Sequence, residues 1–175
     1  MQRYSPVFDG ALKSFSPKVL EKLQEIIGSA RKGDVAVFDA DGTLWDADIG
    51  EAFFRSLIMG RELPSLDYDR DNFLDYEEHV AQDRCEAYQN AVRAMNGLTI
   101  ERVQQLSCQM AYAWPNYRPA MLQLIEMLAE AGVDVWVISA SNHWIVEASL
   151  YYFGIPADRV VGISTEIADG LVTDR

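Results

Sequence analysis

Val35-Ala36-Val37-Phe38-Asp39-Ala40-Asp41-Gly42-Thr43-Leu44 is the stretch on which the reading of this chain turns. Its first four residues form a short β-branched and aromatic run, which predicts a strand buried on both faces. Two carboxylates follow at the carboxyl end of that strand. Acids two residues apart beside a buried strand are costly unless a cation offsets them. In extended backbone alternate side chains share a face, so Asp39 and Asp41 can converge. A hard divalent cation such as Mg²⁺ suits their oxygens and would also draw a phosphate. Gly42 permits a tight turn, after which the N–H groups of residues 40–43 can face an anion. The competing reading is an acidic turn that merely solvates a strand end.

Upstream, Ser16 can cap a helix whose first turn takes Pro17. Val19, Leu20, Leu23, Ile26, Ile27 and Ala30 give that helix one apolar stripe, and Gly28 or Gly33 can end it. Downstream, residues 48–114 read as helical almost throughout. The pattern predicts helices near 48–59, from about 67 to 95 and from Thr99 to Trp114, with Ala81, Cys85, Tyr88, Val92 and Met95 as one buried seam. Met121, Leu122, Ile125, Leu128 and Ala129 mark a further amphipathic helix closed by Gly132. A second buried strand is expected at 133–138, ending at Ser139, then a helix near 142–153 and a third strand at 159–163.

Strands alternating with helices predict an α/β fold with a Rossmann-like parallel sheet, and its site at the carboxyl edge. The helical span between the first two strands reads as an inserted cap. The expected division is thus a discontinuous core, 1–47 and 115–175, with a helical cap at 48–114. Residues 163–173 read as a hairpin turning at Ala168-Asp169-Gly170. Three parallel strands and a hairpin make a poor stopping place for this architecture, so a truncated chain is expected.

The composition narrows the class of partner. The 175 residues carry 15 Lys+Arg against 27 Asp+Glu, a formal charge of −12. Such a balance counts against a nucleic-acid groove or an anionic membrane surface. Hydrophobic residues at 49% and charged residues at 24% are globular values. No apolar run approaches the roughly 18 residues that span a bilayer. Residues 1–6 open no apolar signal-peptide core, so a cytoplasmic protein is the default. Two cysteines are too few for a disulfide scaffold. Cys85 is expected to be an inert buried thiol, and Cys108 has no basic neighbour in sequence to activate it.

The segment 37–44, Val-Phe-Asp-Ala-Asp-Gly-Thr-Leu, resembles the first motif of the haloacid dehalogenase superfamily of phosphohydrolases. Val-Ile-Ser-Ala-Ser, residues 137–141, is similar to its second motif, and the helical insertion lies where that family carries a C1-type cap. The nearest branch is the phosphoserine phosphatase-like one. The resemblance implies Asp39 as nucleophile, forming an aspartyl-phosphate, and Asp41 as general acid and base. It implies Mg²⁺ held by Asp39 and the Asp41 backbone carbonyl, and Ser139 bonding the phosphoryl oxygens beside N–H groups near Gly42, Thr43 and Ala140. The helix beginning near Asn142 would add positive potential.

Two of the family's motifs find no counterpart. Its third supplies a lysine, yet Lys13, Lys18, Lys22 and Lys32 all precede Asp39. Its fourth supplies acids for the metal, and no Gly-Asp-x-x-x-Asp or Asp-Asp pair occurs in the second half. Arg118 and Arg159 are poor replacements, because a planar fork seldom substitutes for a point charge.

For specificity, Asp48 falls where phosphoserine phosphatases place a cap glutamate that meets the substrate's amino group. Its other reading is an acid complementing a helix dipole. Glu51 is an adjacent candidate, and Arg55 and Arg84 can bind a substrate carboxylate or simply be solvated. Trp45, Phe53, Phe54 and Trp114 can line a pocket, even one for a quaternary ammonium group, or be core. His143 and His79 are weaker candidates. The expected function is Mg²⁺-dependent hydrolysis of a small phosphate monoester. The alternatives are a phosphotransferase using the same aspartyl-phosphate, and a non-catalytic phosphate- or metabolite-binding module.

Overall fold

The computed structural model describes residues 10–175, and the reading of residues 1–6 lies outside them. The chain folds as a three-stranded parallel sheet with helices, the α/β class expected. By their contacts the described residues divide into two compact units. The first holds 10–47, Pro115–Ile138 and Leu150–Val160; the second holds Asp48–Trp114, Ser139–Ser149 and Val161–Arg175.

In the first unit, Ser16 accepts the Val19 N–H and Pro17 opens helix α1, Pro17–Ser29. Strand β1, Val35–Phe38, pairs in parallel with β2, Asp134–Asn142, in the register Val35 to Asp134 and Phe38 to Val137. Two turns pin that register: the Gly33 N–H donates to Gly132 O at 2.9 Å, and the Asp134 N–H to Asp34 O at 2.7 Å. Strand β3, Val160–Ile163, completes the order β1-β2-β3. The helix numbered α6, Pro119–Glu130, buries Met121, Leu124, Ile125 and Leu128. It packs against a 3-10 turn at Gly10–Ser14, where Gln123 Oε1 accepts the Leu12 N–H at 3.1 Å.

The strands are not covered on both faces as the sequence implies. Val135 and Val137 are buried, but Val35, Val37 and Ile138 are 60%, 57% and 53% exposed. Residues paired in a parallel sheet share a face, so Val35 and Val37 lie on the side of Asp134 and Trp136. An unbroken apolar run reads the same whether one or both faces are covered. On α1 the inward side narrows likewise to Ile27, with Val19 and Ile26 exposed.

The second unit is mostly helical: α2 Ile49–Met59, α3 Asn72–Gln82, α4 Arg84–Arg93 and α5 Ile100–Ala113. Asp48, Asp71, Asp83 and Thr99 cap them in turn, each accepting a backbone N–H of the first turn. The single long helix expected over 67–95 is therefore two. Asp83 is extended (φ −144°, ψ 97°), ends α3, and caps α4 by accepting the Glu86 N–H at 3.0 Å. The break turns Ala81 and Cys85 out to solvent, so Cys85 is an exposed thiol and the buried seam keeps only Val92 and Met95 fully inside. Helix α7, His143–Leu150, leaves the end of β2.

The expected hairpin forms from β4, Ile167–Ala168, and β5, Leu171–Val172. It is tied to the start of α5 and the residues before it by Gly97 N–H to Val172 O, Val172 N–H to Leu98 O, and Ile100 N–H to Gly170 O. Among the described residues no helix is long and apolar enough to cross a membrane.

Asp83→Ala removes the side-chain cap of α4 and leaves the backbone bond that closes α3. The expected outcome is a loss of about 1 kcal/mol, read as a lower urea midpoint with an unchanged denaturant slope.

Candidate active site

The acidic loop leaves β1 directly. Exposure alternates along it: Asp39 is exposed, Ala40 is fully buried, and Asp41 is partly buried. The loop turns sharply because Ala40 O accepts the N–H groups of Thr43 (3.1 Å) and Leu44 (2.8 Å). Gly42, at φ +72°, supplies the left-handed residue this turn needs. The Thr43 N–H is thereby committed to the turn and does not face outward to an anion, as the sequence had implied. Its hydroxyl lies 3.3 Å from Asp39 Oδ2 and donates to it.

Asp41 is held by a residue whose role the sequence left open. The Trp45 Nε1–H donates to Asp41 Oδ1 at 2.7 Å. The indole is fully buried, edge-on to Tyr117 at 5.9 Å and tilted against Phe153 at 6.2 Å. A packed donor of this kind fixes which way the carboxylate points. The i,i+4 spacing of Asp41 and Trp45 was the available signal.

Around the loop, Arg118 Nε donates to Asp46 Oδ1 at 2.9 Å, and the Arg118 N–H donates to Leu44 O. Arg159 pairs with Asp134 at 2.8 Å. Both arginines weighed as lysine replacements are thus bound to carboxylates of their own.

The second motif ends β2. Ser139, Ser141 and Asn142 are all buried polar residues. Ser139 Oγ accepts the Ser141 N–H at 3.0 Å. Asn142 Oδ1 accepts the N–H groups of Trp144 (3.0 Å) and Ile145 (3.4 Å), which caps α7 and satisfies its first donors.

Within the second unit these residues meet a cavity. It is a small recess partly open to solvent, with Ala140, Ser141 and Asn142 on one wall and Asp48, Glu51, Phe53, Phe54, Tyr76 and Tyr88 among the rest. Asp48 serves both of its readings. It caps α2 through the Glu51 N–H at 2.8 Å, and it lines the cavity with Ser141 Oγ 3.5 Å away. Gly50 is required here by space, since a Cβ would sit 2.5 Å from Ser141 Oγ.

Partial burial raises the Glu51 carboxyl above its ordinary value; Asp48 and Glu77 add to the rise and Arg55 opposes it. Burial likewise pushes the Tyr76 phenol up, helped by the charges of Asp48 and Glu51. Arg84 is exposed at the start of α4 and does not line the cavity. Arg55 stacks over Phe73 at 4.7 Å. His143 pairs with Glu147 and His79 with Glu86, so both histidines have local partners.

Among the described residues no group of three or more His, Cys, Asp or Glu gathers to hold a metal. The residues to which the resemblance assigns the metal are Asp39, whose carboxylate is exposed, and Asp41, which is partly buried. That set suits magnesium, which is commonly bound by one or two carboxylates while water and substrate phosphate complete its shell.

A parallel α/β sheet with an aspartate pair at the carboxyl end of its first strand is a Rossmann-like arrangement, the kind in which ligands meet the carboxyl ends of the strands. The family model for haloacid dehalogenase-like hydrolases matches residues 36–175, and the chain belongs to that family. A comparison with curated proteins finds no match. Among solved structures, a protein of unknown function from Bordetella pertussis Tohama I is similar at a TM-score of 0.66 and 16% identity, over 82% of this chain and 66% of that one. A phosphoserine phosphohydrolase-like protein from Francisella tularensis gives 0.55 and 16%, over 80% and 63%. A phosphoserine phosphatase in a phospho-aspartyl intermediate analogue gives 0.50 and 17%, over 83% and 63%. At these identities the likeness is one of fold, and the chain spans slightly under two thirds of these three structures' lengths.

Two measurements check this geometry. Trp45→Phe keeps a ring but removes the donor to Asp41 and leaves a small void, so stability should fall by about 2 kcal/mol in urea unfolding. For Glu51, a carboxyl raised in the folded state binds its proton more tightly there than in the unfolded chain. Stability is therefore lost as pH rises from the ordinary carboxyl value through the raised one. Glu51→Gln abolishes that loss, so the stability of the variant relative to the parent should grow as pH is raised across this window.

Proposed function

We propose that this chain carries the nucleophile and acid of a magnesium-dependent phosphomonoester hydrolase acting on a small phosphorylated metabolite. The observation that carries the reading is the pair of unlike carboxylates after β1. Asp39 is exposed beside the Thr43 hydroxyl, while Asp41 is turned and held by the buried Trp45 indole. Membership of the hydrolase family supports it.

In this mechanism an Asp39 carboxylate oxygen attacks phosphorus in line, and the bond to the ester oxygen breaks. The leaving oxygen takes its proton from Asp41. Asp41, now ionised, removes a proton from water as that water attacks the aspartyl-phosphate, which returns Asp39 and releases phosphate. A fixed carboxylate suits both proton transfers because its direction does not change between them. Asp39 and Asp41 would hold magnesium, which would supply positive charge against the repulsion of nucleophile and phosphate. Ser139, Ala140 and Gly42 are assigned to the phosphoryl group, and Asp48 to the remainder of the substrate. We take 48–114 as the cap, and 1–47 with 115–175 as the core. A cytoplasmic setting suits an acidic chain whose two cysteines are free and exposed.

One observation favours a second reading, a phosphate- or metabolite-binding module. Arg118 and Arg159, the arginines weighed for the family lysine's place, are engaged by Asp46 and Asp134. Loss of one such electrostatic group commonly costs about 10²–10³ in rate.

A panel of phosphate monoesters assayed with Mg²⁺ separates the two. The hydrolase reading expects phosphate release that Asp39→Asn lowers by at least about 10³-fold. Release at the parent rate from that variant removes Asp39 as nucleophile. Ester binding without turnover selects the module, and phosphate appearing on an added alcohol selects a phosphotransferase.

A further inference from the structure

The cavity of the second unit has a composition that picks out a ligand. Its walls hold two carboxylates, Asp48 and Glu51, and four aromatic rings, those of Phe53, Phe54, Tyr76 and Tyr88. None of its lining residues is Lys, Arg or His. Two nearby cations are accounted for elsewhere: Arg55 stacks over Phe73, and Arg84 is exposed on α4. The Phe54 and Tyr76 rings are 5.1 Å apart and tilted by 56°, so they form a corner and not a closed stack.

We propose that this cavity binds an alkylated ammonium group, and that the substrate is a phosphate ester of an amino alcohol bearing no carboxylate. The inference rests on the hydrolase reading for the ester and on the cavity alone for the ammonium. A cation is drawn by two negative groups beside aromatic faces, each of which attracts positive charge. Alkylation is favoured because Asp48 Oδ1 already accepts the Glu51 N–H and the Ser141 hydroxyl. A primary ammonium must place three N–H donors, whereas methylated nitrogen needs only charge and apolar contact. A substrate carboxylate would meet two like charges and no cation in the lining, which costs binding and disfavours amino-acid phosphates. The wall of Ala140, Ser141 and Asn142 follows Ser139 in β2, so the cavity begins one residue from the serine assigned to phosphate.

Calorimetric titration of the chain with choline, tetramethylammonium, L-serine and 3,3-dimethyl-1-butanol tests the site without any turnover. The butanol has choline's shape without its charge. Choline is expected to bind about tenfold or more tighter than the butanol, and L-serine not measurably. Glu51→Gln and Phe54→Leu, each checked for folding by circular dichroism, should each weaken choline by about tenfold, and Cys108→Ser should not. Equal affinity for choline and its neutral analogue overturns the proposal, as does preference for L-serine or no choline binding to the folded chain. Phosphocholine assayed in parallel separates the two readings. Choline binding without phosphate release leaves the ammonium site standing and removes the hydrolase. Release from other esters without choline binding does the reverse.

Discussion

The hydrogen bond from the Trp45 indole to Asp41 is the constraint around which the acidic loop is organised. A carboxylate at a strand end has many directions open to it, and water satisfies all of them. Fully burying the donor removes that freedom, because the indole cannot follow the acid without breaking its contacts with Tyr117 and Phe153. The same indole residue bridges the loop to Tyr117 through the backbone. Core packing and site geometry thus share one side chain. Asp39, by contrast, accepts the Thr43 hydroxyl at the longer distance of 3.3 Å and stays exposed, as suits a group that must be reached.

Much of this was readable in advance because the determinants are local. The strand, the acid pair and the glycine turn are consecutive residues, and the hairpin at Ala168-Asp169-Gly170 declares itself by turn chemistry. The helix boundaries at Asp48, Thr99 and Ser16 follow from capping side chains. The break at Asp83 was legible too, since Asp83-x-x-Glu86 is a helix-start signal, but the apolar spacing through Ala81 and Cys85 argued for continuity. Propagating one helix across an extended residue then misplaced Cys85.

The rest is tertiary. Tyr76 and Tyr88 enter the same cavity only because α3 and α4 fold back on one another, and no spacing along the chain announces that. Asp48 and Glu51 were visible as candidates, but not that no Lys, Arg or His joins them in the cavity lining, which is what gives the cavity its character. Whether β1 is covered on one side or two depends likewise on what lies across space, and an apolar run carries no record of it.

That uncovered side has a consequence for behaviour in solution. β1 stands at the end of the sheet order, so one row of its amide and carbonyl groups lacks a neighbouring strand within this sheet, beside the exposed Val35 and Val37. Edges of this kind template the addition of foreign strands. The charge of −12 acts against it, since mutual repulsion keeps copies apart until salt screens it. Raising the ionic strength screens that repulsion and so removes the charge barrier to pairing at this margin.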